Sequence, residues 1–496
     1  MSTNVGVVQI KTATYPDEHP YSPSEAYPEY PFRDHLARRG NLVYEGVRRL
    51  FIELGLDAAR LNTSGWNPLG DLIKPGMKVV LKPNFVRSRH YEGKDPYAMI
   101  THPSVLRAVA DYCWIALKGD GRIIIADAPQ YDGNWTELLE LTRLDKVADF
   151  YAAQGGPQME IRDLRDYWSR KRHFPSMAIP LPGDPEGTSK INLGNRSALF
   201  AIPEPTRLYG AVYHRDETIS HHTGAEQIYE MSNTVLNADV VISVPKLKTH
   251  KKVGVTMNIK GLVGICTNKN LIVHYSLGSP LEGGDQYPNG HYTPMEERLI
   301  KTERWMYDTF LAKRSVPLEY FHRSIYWLHG AFIKPLGIKV EKEKRLLDAG
   351  NWYGNDSAWR MAVDLMKVFA FADRDLDMSH VQQRKMFSVV DGIIGGENKG
   401  PLEPDPKPAG VLLGGENFLA VDIVATRLMG FDPMKVRVLK HLMEQMEFDL
   451  GVHNYQDIEV RCSNPQWRDC LVNETDSFLS FKPYPGWTGH LEISPS

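Results

Sequence analysis

The chain has 496 residues, 42% hydrophobic and 24% charged, with a formal net charge of −3. These values exclude wholesale disorder, and the absence of a basic excess excludes a general nucleic-acid binder. The length exceeds what one ordinary core holds, so two or three lobes, or one large domain with insertions, are expected.

Taken in chain order, MSTNVGVVQIKTATYPDEHP opens the sequence without the basic and apolar regions of a signal peptide. The first strand is predicted at MKVVLKPN (77–84), a short apolar run ending in Lys82, Pro83 and Asn84. THPSVLRAVADYCWIAL (101–117) has helical spacing, with Thr101 as the expected N-cap and Pro103 in the first turn. GRIIIADAP (121–129) reads as a second strand, ending at Asp127. Thr223 to Leu236 is expected to be helical and to lead into a third strand, ADVVISVPKLKTH (238–250).

A region from 275 to 375, rich in aromatic residues, interrupts the pattern and is read as a mostly helical insertion or lid. Two further strands follow, MFSVVDGIIGGENKGP (386–401) and GVLLGGEN (410–417), and then a helix at FLAVDIVATRLMGF (418–431). Near-continuous β-branched runs bounded by turns mark strands buried on both faces, and their alternation with helices implies an α/β fold with a mainly parallel sheet. The expected organisation is a discontinuous core (1–274 and 376–440), the helical insertion (275–375), and an irregular covering segment (441–496).

The region of greatest chemical interest lies between Val244 and Asn270. It holds six lysines (Lys246, Lys248, Lys251, Lys252, Lys260 and Lys269) and no acidic residue. Ligands of open α/β sheets bind outside the carboxyl ends of the strands, and four strand candidates here end in Lys82/Asn84, Asp127, Lys246/Lys248/His250 and Asp391. Lys246, Lys248 and His250 alternate, so in an extended segment they share one side and form a clamp for phosphate or carboxylate. Lys260 and Gly261, with Asn258, suggest a turn whose amides join the lysines around the anion. Crowding lowers lysine pKa values, which suits a general base or an imine-forming amine.

The expected catalytic residues are Asp127, Lys246, Lys248, His250 and Asp391. Lys82, Asn84, His102, Asn258, Lys260, Gly261 and Glu397 are expected to bind substrate. Lys246→Ala and Lys248→Ala are expected to leave the fold intact, with Lys252 a bystander. His250, Asp127 and Asp391 form the candidate set for a divalent metal, with His102 and His274 as further imidazoles. Cofactor identity stays open.

P-loop, G-x-G-x-x-G, H-E-x-x-H and G-x-S-x-G motifs are all absent. The four cysteines, Cys113, Cys266, Cys462 and Cys470, contain no C-x-x-C pair, so no iron–sulfur cluster and no disulfide framework are expected. No apolar run reaches about 18 residues, the length a membrane span needs, and a cytoplasmic location is expected.

LKPNF (81–85), THP (101–103), ADAP (126–129), NADVVISVPKLKTH (237–250), NIKGLVG (258–264), VVDGIIGGENKGP (389–401) and GGENFLAVDIVATRLMGFDP (414–433) form an ordered set. This set resembles the domain-of-unknown-function family numbered 362, DUF 362, without the ferredoxin-like cysteine clusters of some members. The resemblance implies the α/β core and these loops, and it implies no reaction. Read from the residues, the chain is expected to be an enzyme acting on a small phosphorylated or carboxylated substrate, with or without metal assistance, its reaction class left open. The alternative is a non-catalytic carrier of an anionic metabolite. The expected partner is a small anionic ligand, and the sequence is compatible with self-association.

Overall fold

A computed structural model describes residues 2–169, 178–210, 215–310, 315–328, 331, 340–472 and 478–493. Ten strands form its main sheet: β1 (Val5–Gln9), β2 (Lys78–Pro83), β3 (Arg122–Asp127), β4 (Gln158–Asp163), β5 (Val240–Val244), β6 (Lys246–His250), β7 (Gly254–Val255), β8 (Lys385–Glu397), β9 (Asp405–Gly415) and β10 (Val460–Cys462). Eight of them lie in the order β10-β1-β9-β8-β5-β2-β3-β4, with β6 beside β8 and β7 beside β6.

β4, β3, β2, β5 and β8 run parallel. β9 is antiparallel to both β8 and β1, and β10 is parallel to β1. The fold is therefore α/β with a mixed, mostly parallel sheet. β1, β4 and β10 were not among the strands expected from sequence, although β1 carries the short apolar run VGVVQ.

Continuous apolar runs in β2, β3 and β5 reflect burial on both faces. Val80, Ile124 and Val241 enter one core, while Val79, Leu81, Ile123, Ile125, Val240 and Ile242 enter the other. Helices α1 (Leu42–Glu53) and α2 (Pro103–Leu117) cover the second face. On the first face lie the four-residue α3 (Asn258–Gly261) and, further along the chain, α6 (Ala358–Phe371) and α7 (Phe418–Leu428). Each fully buried Leu, Ile or Val contributes about 1.5–3 kcal/mol to such a core.

The helix α2 is capped by His102, whose side chain accepts from Ser104 N, and not by Thr101. Thr101 is engaged elsewhere: its hydroxyl donates to Val244 O and accepts from Asn84 N, tying β5 to the end of β2.

The helix expected over Thr223 to Leu236 is instead mostly strand. Glu226–Ser232 pairs antiparallel with Thr188–Asn192, and only Asn233–Leu236 is helical. Gln227, Tyr229 and Met231 alternate inward, a period of two that the apolar count over this window concealed.

Along the chain, between β7 and α6, come α4 (Pro294–Phe310) and α5 (Val316–Leu328). Tyr320, Phe321 and Trp327 of α5 are exposed, whereas α6 is buried along nearly its whole length. Residues 311–314, 329–330 and 332–339 of the expected insertion lie outside the described residues. Tyr287, Tyr292, Ile300 and Val340 form a small apolar cluster separate from the two main cores. No helix among the described residues is long and apolar enough to cross a membrane.

Pro245 interrupts the third predicted strand and divides it into β5 and β6. The 13-residue β8 spans both pieces: Val240 to Ser243 pair with Lys385 to Ser388, and Lys246 pairs with Asp391. The Asp391 amide donates to Pro245 O at 2.8 Å, bridging the break. Lys82 and Asp127 thus lie at the carboxyl ends of β2 and β3, where ligands of such folds bind, whereas Lys246 opens β6 and Asp391 sits midway along β8, so these two are not the strand ends expected from sequence.

Candidate functional site

Two buried ion pairs mark this edge. Lys82 Nζ lies 2.9 Å from Asp127 Oδ1 and also donates to Pro83 O, while Asp127 Oδ2 accepts from Phe85 N at 2.6 Å. Lys246 Nζ lies 3.0 Å from Asp391 Oδ2 and donates to the Tyr15 hydroxyl at 2.6 Å. That hydroxyl donates to Asp391 Oδ1 at 2.7 Å, and Asp391 Oδ2 accepts from His102 N. The Tyr15 ring stacks on His102 with centroids 3.9 Å apart. Each acid is consumed by a lysine and by backbone amides, as burying a charge requires.

Beside these pairs lies a cavity of about 280 Å³. Lys248, Lys251, Lys252, Lys260, Lys269 and Arg304 line it, and among the described residues Asp127 is its sole carboxylate. Three of the lysines are anchored on backbone carbonyls. Lys248 Nζ donates to Met99 O, Lys269 Nζ to Val263 O, and Lys252 Nζ to Ala349 O. The Lys260 side chain makes no hydrogen bond or ion pair with any described residue. Burial and the neighbouring Lys269 push its pKa down to about 7; burial lowers that of Lys269 to about 8. Burial, followed by surrounding lysines, holds Lys248 and Lys252 well below the usual range.

Two imidazoles complete the wall. His250 Nδ1 accepts from Lys252 N at 3.0 Å, so the neutral ring carries its proton on Nε2. His274 Nδ1 faces Ile272 O at 2.9 Å and must donate to it, which leaves Nε2 as an acceptor. Burial, with Lys260 the next cause for both, pushes the two rings well below the usual histidine pKa and keeps them neutral. The cavity therefore presents one ring donor, one ring acceptor, and a ring of cations. Asn84 adds a side-chain oxygen that is buried without a hydrogen-bond partner.

The loop carrying Lys260 is held under strain. Met257 sits at φ 94, ψ −139, a region that residues with a Cβ rarely adopt. Asp422 of α7 fixes the turn that follows: its oxygens accept from Asn258 N, Asn258 Nδ2 and Ile259 N at 2.8–3.0 Å. Further on, Gly264 packs on the first ion pair. A Cβ there would fall 2.0 Å from Asp127 Oδ1 and 2.5 Å from Lys82 Nζ. A Cβ on Gly261 would instead meet open space.

Of the residues expected from sequence, Asn84, Asp127, Lys248, His250, Lys260 and Gly261 line the cavity. Lys82 stands behind Asp127, while Lys246, Asp391 and His102 form the separate buried network with Tyr15. Asn258 points to Asp422 and Ser388, and the amides of Asn258 and Ile259 are taken by Asp422, so the expected amide cradle for an anion is not formed there. Glu397 accepts from Lys482 N and lies off the cavity. Lys252, expected to be a bystander, is part of the wall. Among the described residues no group of three or more His, Cys, Asp or Glu is placed to hold a metal. His250, Asp127 and Asp391 in particular are not gathered around one point, since Asp391 belongs to the Lys246 network. Arg304, Tyr209 and Asp422 were not singled out in the sequence; Arg304 and Tyr209 carry no local pattern, and Asp422 lies within GGENFLAVDIVATRLMGFDP (414–433) but far along the chain from the lysine segment it supports.

A family model described as a domain of unknown function (DUF362) matches residues 79–180 and 198–427, together about two thirds of the chain. A curated relative, the thylakoid-associated protein sll1697 of Synechocystis sp., is 24% identical over 202 residues. The match takes in 40% of this chain and 43% of that relative, so the chain spans less than half of the relative's length.

Proposed function

The chain belongs to the DUF362 family, and from that premise and the charge of the cavity we propose that it is an enzyme acting on a small molecule bearing phosphate or carboxylate. The observation that carries this reading is the imbalance of charge: among the described residues, six basic side chains line a cavity whose single carboxylate is already neutralised by Lys82. Cations buried together repel one another, and an anion offsets that cost. Charge-assisted hydrogen bonds contribute about 1.5–3 kcal/mol each, so two or three lysines suffice to retain a small anion. The volume of about 280 Å³ suits a metabolite and not a polymer. His250 as donor and His274 as acceptor supply what a proton-transfer step needs, and they favour catalysis over simple retention.

One observation favours the second reading, a carrier: Asp127, the only acid on the wall among the described residues, is committed to Lys82 and is not a free proton acceptor. The four described cysteines are all unpaired and buried, which fits a reducing, cytoplasmic setting.

The test is thermal unfolding with inorganic phosphate, sulfate and citrate, alongside native mass spectrometry of the purified protein. Stabilisation by these anions, lost in a Lys248→Ala/Lys269→Ala double variant, supports the site. Stabilisation that is absent, or equal in the variant, removes it.

A further inference from the structure

Resting on that reading of the cavity as an anion site, we propose that Lys260 is an amine nucleophile that forms an imine with the carbonyl carbon of a small 2-oxo acid. The geometry separates Lys260 from its neighbours. Lys248, Lys252 and Lys269 each donate to a backbone carbonyl, which fixes the ammonium head and leaves further N–H groups for a carboxylate. Lys260 shares their cavity, is almost fully buried, and has no acceptor among the described residues. An amine with nothing to hold its protons, ringed by cations that disfavour another charge, is suited to attack and poorly suited to serve as a counter-ion. A pKa of about 7 fits this role. At neutral pH about half of such amines are uncharged, against roughly one in three thousand for a lysine at its ordinary value.

The step balances without an external redox partner. The Nζ lone pair adds to the carbonyl carbon, and His274 Nε2 accepts the proton that the nitrogen sheds and passes it to the former carbonyl oxygen, giving a carbinolamine. A second proton, from the ammonium group of a neighbouring cavity lysine, converts the hydroxyl into water. Water leaves, the nitrogen lone pair forms the C=N bond, and the product is a protonated imine. The neighbouring lysines hold the carboxylate, and the imine then serves as an electron sink at the adjacent carbon.

The experiment incubates the full chain with glyoxylate, pyruvate or 2-oxoglutarate and sodium cyanoborohydride, whose hydride reduces an imine to a stable secondary amine. Peptide mapping by mass spectrometry locates the adduct. The expected result is one modified site, Lys260, labelled at least tenfold more than any other lysine and protected by excess inorganic phosphate. Lys260→Met should abolish that labelling; because a variant can misfold, protection of the wild type by phosphate stands as the independent measure. Labelling that is absent with all three acids, or spread over surface lysines, overturns the imine. If phosphate still stabilises the protein in that case, the anion site survives and only the nucleophile is lost. If phosphate fails as well, both readings fall.

Discussion

Lys246 and Asp391 face each other at 3.0 Å with neither side chain exposed to solvent, and the Tyr15 hydroxyl bonds to both. The sequence suggested that Lys246 reaches for a ligand; in the structure it is fully occupied with Asp391. Removing one member of a buried pair strands the other charge, at a cost of about 3–5 kcal/mol. Lys246→Ala should therefore lower the thermal midpoint sharply, in contrast to the intact fold expected from sequence. Lys248→Ala leaves no carboxylate stranded and should cost less stability while weakening anion binding. Comparing the two variants by thermal unfolding, with and without sulfate, checks the distinction.

The pH dependence follows from the lysines of the cavity. Lys260 and Lys269, at about 7 and about 8, lie below the ordinary lysine value of 10.5. Between those values the unfolded chain binds more protons than the native one, so these two groups make the empty protein gain stability as pH rises through that window. Below about 7 their full destabilising charge is present. Anion affinity runs the other way and should fall as the ammonium groups deprotonate. The added stability from sulfate should be larger at about pH 6.5 than at about pH 9; an equal effect at both would contradict the assignment.

Gly264 and Gly261 should respond oppositely to a single methyl group. Gly264→Ala drives Cβ into Asp127 and Lys82, in a place where neither charge has anywhere to go. A loss of several kcal/mol, about 3–5 if the pair breaks, is expected in denaturant unfolding. Gly261→Ala projects into open space on the cavity wall and should leave the fold unchanged while reducing affinity for larger anions.

Asp422 should matter to the site without touching a ligand. Asp422→Ala leaves the Asn258 and Ile259 amides without their acceptor beside the strained Met257. Each orphaned buried group costs about 1–3 kcal/mol. Lys260 should lose its fixed position, so anion binding should fall together with stability. Asp422→Asn, which keeps one acceptor oxygen, should restore part of both.

The strands at 78–83, 122–127 and 240–250 were legible because burial on both faces leaves a continuous apolar run that few other arrangements produce. Their common edge then placed Asp127, Lys248, His250 and Lys260 near one another. The roles within that group were not legible. Alternation along β6 gives Lys246 and Lys248 the same side, but what each meets depends on β8, which arrives about 140 residues later and shifts register between them. Asp391 looked like a free acid because nothing local shows that Lys246 will neutralise it. Glu226–Ser232 was misread because a mixed apolar window long enough for a helix also contained a strand's alternation.

The single long strand β8 grips β5 with its first half and β6 with its second. The same strand thus links the middle of the sheet to the lysines across the break at Pro245. The opposite wall differs. Arg304 comes from α4, where it lies over the rings of Tyr209 and Tyr275, and the same helix supplies Ile300 to an apolar cluster of its own. The cavity thus has a floor on β6 and β8 and a roof on α4, which has a small apolar cluster of its own and is tied to Tyr209 and Arg215 through Asp308. Backbone amides of 240–250 and 385–397 should exchange with solvent at the rate of global unfolding, and those of 294–310 much faster. Entry and exit of a ligand would then be timed by the roof alone, so residence time could be altered by changes in α4 that leave the floor's chemistry untouched.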